Sequence, residues 1–139
     1  MRLILTLAGA ALALSACTAS EDYAKVIAAS QPPSAALKAQ IVQGASKLLY
    51  DPASVRDAQI SNVATFSDGV QGVCVRADSK NVNGVYVGPQ SMGLAMRDGK
   101  LVDGTLNHPI CNRPDVPWQP FPELDALGKP VKPAKGKRR

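Results

Sequence analysis

The chain has 139 residues, with 16 lysines and arginines against 11 aspartates and glutamates, and it is 45% hydrophobic but only 4% aromatic. That length accommodates one domain, and so few aromatic rings require a core of aliphatic and small side chains. The net charge of +5 sits in a tail: the last twelve residues, GKPVKPAKGKRR, hold six basic groups and no acid, so the rest is mildly acidic and no nucleic-acid partner is expected.

The first element is a leader. Arg2 is followed by an apolar and small-residue run from Leu3 to Leu14. About 20 apolar residues are needed to cross a bilayer, so this run is too short to span one and instead fits the hydrophobic region of a secretory signal. Immediately behind it, Leu14-Ser15-Ala16-Cys17 resembles the lipobox of bacterial lipoproteins. The resemblance implies cleavage before Cys17, a diacylglycerol on its thiol and a further fatty acid on its freed amine. Two or three chains, at about 0.8 kcal/mol per buried CH₂, hold a protein on a membrane where one chain does not. In such lipoproteins an aspartate after the cysteine favours the inner membrane. Thr18 stands there, so the expected location is the cell envelope, on the periplasmic face of the outer membrane.

Residues 17–33 are small and polar and end in Pro32-Pro33, which reads as a tether, with at most one helical turn over Tyr23 to Ala29. Ser34 is then a candidate N-cap for a helix in which Leu37, Ile41, Ala45 and Leu48 recur on one face; Asp51-Pro52 stops it. Short extended pieces follow. Ala58 to Phe66 and Val70 to Ala77 read as strands, Val85 to Val87 as a third short piece, and Met92, Leu94 and Met96 alternate with smaller or polar residues. Asp98-Gly99, before Lys100 to Val102, is a hairpin signal. From Pro109 the chain is punctuated by prolines, which predicts extended backbone, with Trp118 and Phe121 capping a sheet edge or the rim of the core.

The expected architecture is α+β: one amphipathic helix packed on a small antiparallel sheet of about four strands. The predicted organisation is a signal peptide over 1–16, a tether over 17–33, the domain over 34–127, and a disordered basic tail over 128–139. The tail is either a solvated end or a contact for an anionic envelope surface.

With Cys17 acylated, Cys74 and Cys111 remain as a pair in an oxidising compartment, and a disulfide between them is expected. A redox pair or metal ligands are the alternatives. Against them, there is no Cys-x-x-Cys, and His108 is the sole histidine.

The run VCVRADSKNVNGVYVG, with the upstream YDPASVRDAQI, resembles a group of small exported bacterial proteins that have no assigned activity. The shared positions are Asp51, Pro52, Ser54, Val73, Cys74, Lys80, Asn81, Gly84, Tyr86 and Gly88; Asp78 and Val82 stand where the pattern has asparagine and an aromatic. Within the loop, Lys80, Asn81, Gly84 and Tyr86 are the candidate interaction residues, the plainer reading being a structural connection. No catalytic motif, metal set or cofactor loop is present in the sequence, and no cofactor is expected. The expectation is a non-enzymatic structural or interaction module in the envelope, binding an envelope protein or anionic surface. The alternative is an inhibitor or accessory factor of an envelope enzyme.

Overall fold

The computed structural model describes residues 21–129. The segment expected as a signal peptide (1–16), Cys17 and the residues beyond Lys129 lie outside them. The described chain is mixed α and β, built mainly on one antiparallel sheet.

The elements are α1 (Tyr23–Ala28), α2 (Ala35–Leu48), β1 (Arg56–Ser61), β2 (Ala64–Thr65), β3 (Gln71–Asp78), β4 (Gln90–Arg97), β5 (Lys100–Leu106), β6 (Trp118–Pro120) and α3 (Pro122–Asp125). The sheet has six strands rather than four, in the order β5-β4-β3-β1-β6, with β2 paired to the start of β3. Part of the difference lies in the strand expected over Ala58 to Phe66, which is two strands. Between them Val63 exchanges backbone hydrogen bonds with Gln31 (2.9 and 2.7 Å), so the chain after α1 takes the pairing that a continuous strand would need. Val85 to Val87 is not a strand: Gly84 and Gly88, at φ 72° and 96°, break it on both sides, and only Tyr86 forms a bridge, to Lys80.

One sheet face carries the core. Ser34 caps α2 by accepting the Leu37 N–H (3.1 Å), and Leu37 and Ile41 pack on Ile60, Val73, Val75 and Met96. Leu48 does not follow its helical repeat into this core and is 79% exposed; Leu49, where the backbone turns extended, packs there instead. The Asp98-Gly99 turn joins β4 to β5 with both residues at positive φ, 51° and 74°, as a two-residue hairpin of this hand requires.

The proline-punctuated segment corrects an expectation. Phe121 is not at the rim: it is fully buried at the centre of the core with Leu124 beside it. β6 adds to the outer side of β1, pairing Ile60 with Gln119 and Ser61 with Trp118. Pro122 opens α3 at a position where its missing N–H costs nothing. Asp125 then reaches back so that its carboxylate accepts the Ala58 N–H (2.9 Å).

The opposite face of the sheet is covered only in part. Cys74 on β3 is bonded to Cys111, which sits in a 3₁₀ turn over Pro109–Asn112. His108 caps that turn by accepting the Ile110 N–H (3.3 Å) and is half-buried. On the other flank α1 buries Ile27, and the rings of Tyr23 and Phe66 meet edge to face, 6.2 Å apart. The segment expected as a tether therefore belongs to the fold from Glu21 onward, because Ile27 and Tyr23 find apolar partners on this face.

Candidate functional site

The loop singled out by sequence, residues 80–88, is held at both ends by one residue, Ser54. Pro52–Ser54 form a 3₁₀ turn, within which the Ser54 hydroxyl donates to the Asp51 carbonyl (2.7 Å). The same oxygen accepts the Lys80 N–H (2.8 Å), while the Ser54 carbonyl accepts the Tyr86 hydroxyl (2.7 Å). The two halves of the sequence pattern, around Asp51 to Ser54 and Lys80 to Tyr86, thus meet at a nearly buried serine.

Inside the loop, the Asn81 carboxamide accepts the N–H groups of Asn83 (2.9 Å) and Val85 (3.2 Å), closing a turn on itself. Gly84 supplies the positive φ this turn needs, and its N–H donates to the Asn81 carbonyl (2.9 Å). These two candidates shape the loop. Tyr86 is clamped from the side: the Arg56 guanidinium stacks 3.6 Å from its ring centroid, and Lys80 Nζ lies 5.7 Å from it.

Arg56 is placed there by a β-bulge. β1 carries one extra residue relative to β3 between Arg56 and Gln59, with Asp57 at φ 54°. In an unbroken ladder Asp57 would oppose Asp78, setting two acids against each other; the bulge brings Arg56 opposite instead. Arg56 Nη2 and Nε donate to Asp78 Oδ2 (2.9 and 3.2 Å), with Asp78 at 6% side-chain exposure and Arg56 at 52%. The hydrogen bond to Asp78 raises the Arg56 pKa above its ordinary value. The second Asp78 oxygen has no hydrogen-bond partner.

This bracing leaves an apolar ridge in solvent. Val82, Val85 and Val87 are exposed to 68%, 53% and 60%. Sequence reasoning singled out the polar members of the loop and missed these valines, together with Arg56 and Asp78. The alternation Val85-Tyr86-Val87 was the available signal, because it places the valines on the side away from the anchored tyrosine. Cys74 and Cys111 are joined as expected, and Cys17 lies outside the described residues.

Two further facts bound the chemistry. Among the described residues, no group of three or more His, Cys, Asp and Glu side chains is arranged to hold a metal ion, and no helix is long and apolar enough to cross a membrane. No known protein family, curated protein or solved structure matches this chain.

Proposed function

We propose that this chain is a lipid-anchored cell-envelope protein whose folded part is a non-enzymatic binding module, engaging a protein partner through loop 80–88. The observation that carries the reading is the contrast within that loop. Its backbone is pinned by Ser54, Asn81 and Tyr86, while Val82, Val85 and Val87 stand exposed. A loop ordered before binding loses little conformational freedom on association, and exposed apolar side chains on a fixed frame are what a partner's pocket can cover. Anchoring at Cys17 draws on the resemblance of Leu14 to Cys17 to a lipobox behind a short apolar run.

Two experiments test this. Mass spectrometry of the native N-terminal peptide should find fatty acid on Cys17; an unmodified residue 17 in a soluble form defeats the anchor. A photo-crosslinking residue at position 85 in cells should yield one dominant adduct that the same residue at position 48, on exposed α2, does not give. Identical adducts from both positions would remove the loop from the reading.

The same loop favours a second reading, as an inhibitor or accessory factor of an envelope enzyme. A single braced loop with apolar side chains fits insertion into a cleft. Saturable inhibition of a cell-wall lytic activity by the purified protein, abolished by Val85→Asp, is the result it requires.

A further inference from the structure

The partly covered face of the sheet holds a cavity of about 410 Å³, within the range of small-molecule sites, and no residue of loop 80–88 lines it. Its floor follows from three small residues. On β3 and β4, Gly72 lies opposite Ala95 and Cys74 opposite Gly93; Phe66 lies over Gly72, and His108 and Cys111 lie over Gly93, with the small side chain of Ala95 between them. The walls come from the two flanks already described. Tyr23, Ile27 and Phe66 stand on one side; Ile110, Val116 and Pro117 stand on the other. The glycines also admit these walls: a Cβ on Gly72 would meet Phe66 Cε2 at 2.9 Å, and one on Gly93 would meet the His108 Cβ at 2.7 Å.

Charge is one-sided. Among the described residues, Glu21, Asp68, Asp103 and His108 line the cavity, and no lysine or arginine does. Glu21 is engaged, since its carboxylate accepts the Ser67 N–H (3.0 Å) and the Ser67 hydroxyl. Asp68 and Asp103 each use only Oδ1, accepting the N–H of Val70 (2.9 Å) and of Gly104 (2.8 Å). Both are exposed, so each has a carboxylate oxygen available at the cavity. Apolar walls with aromatic rings, and three carboxylates against a single imidazole, complement one chemistry.

We propose that this cavity binds a small organic cation with an apolar body, such as an aryl or alkyl ammonium: the body rests over Ala95, between Phe66 and His108, and the charged end faces Asp68 and Asp103. The site is independent of the valine ridge.

Titration of the disulfide-intact full chain at low salt with 1-naphthylmethylammonium, 1-naphthalenemethanol and 1-naphthoate tests it. The ammonium should bind about fivefold to twentyfold more tightly than the alcohol, as expected of two exposed ion pairs, and the naphthoate most weakly. Asp68→Asn with Asp103→Asn keeps both turn hydrogen bonds. It should erase the preference for the ammonium and leave alcohol binding unchanged. Ala95→Leu fills the floor and should weaken both ligands by about tenfold or more. Equal binding of all three compounds, or none at millimolar concentration, would overturn the proposal. So would tighter ammonium binding by Lys132→Gln, Lys135→Gln, Lys137→Gln protein, which would identify the chain's own basic tail as the occupant. Release of a dimer by the probe would do the same for a second copy.

Discussion

The Tyr86 hydroxyl donates to the carbonyl of Ser54, 32 residues earlier, at 2.7 Å, while the Ser54 hydroxyl accepts the N–H of Lys80. One residue thus receives both ends of the exposed loop. Ser54→Ala leaves the Lys80 N–H without its acceptor in a half-buried place. The expected loss is about 1–3 kcal/mol in urea unfolding, since an orphaned donor costs more than a net hydrogen bond. Tyr86→Phe removes one bond and keeps the ring under Arg56; it should cost about 0.5–1.5 kcal/mol. A larger effect from Tyr86→Phe than from Ser54→Ala would contradict this hierarchy.

Arg56 has two roles, neutralising Asp78 and covering Tyr86. Arg56→Met retains the length of the stem but leaves a nearly buried carboxylate without its cation. Its urea midpoint should fall further than that of Tyr86→Phe. Arg56→Met combined with Asp78→Asn should recover a substantial part of the loss, and no recovery would argue against the pair as the cause.

The Cys74–Cys111 bond ties the central strand to the proline-punctuated segment across 37 residues of sequence. On the chain-entropy treatment, opening a loop of that size costs roughly 4 kcal/mol, comparable to the whole stability of a marginal domain. Reduction should therefore produce a large drop in Tm. It should also loosen the wall of the cavity formed by the 3₁₀ turn, read as faster amide exchange at Ile110 and Cys111 before β6 opens. Unchanged Tm on reduction would show that the segment is held by β6 and Phe121 alone.

Two acids have pKa values below the ordinary carboxylate range. Backbone hydrogen bonding at the start of α3, and then Lys38 at 3.2 Å, lowers Glu123; the side-chain hydrogen bond from Arg113 lowers Asp115. Each is depressed in the folded state, so its stabilising contribution is fully present above the unfolded carboxylate pKa and is lost as pH falls through the folded value. Stability should hold from neutral pH to about pH 5 and decline below about pH 4. Glu123 is half exposed, so its own share is a few tenths of a kcal/mol. Glu123→Gln should make the acid limb slightly shallower, and a steeper limb would reverse the sign argued here.

The candidate site was only half legible in the sequence. The turn chemistry of Asn81 and Gly84 is local and could be read directly, and so could the pattern linking Asp51 to Ser54 with Lys80 to Tyr86. What that pattern is for could not be read, because Ser54 acts through its position under a loop that arrives from the far side of β3. The cavity was not legible at all: Gly72 comes beside Ala95, and Cys74 beside Gly93, only when β3 and β4 are aligned.

Sequence alone determined the features whose causes lie within a few residues. Ser34 capping α2, the helical repeat through Leu37 and Ile41, and the Asp98-Gly99 hairpin are set by neighbours along the chain. Only the tertiary structure decided that Phe121 sits at the centre of the core, that a bulge sets Arg56 against Asp78, and that the residues around Tyr23 belong to the domain. Each of those depends on which distant surfaces come into contact, and burial and charge pairing between distant segments have no local signature in the order of residues.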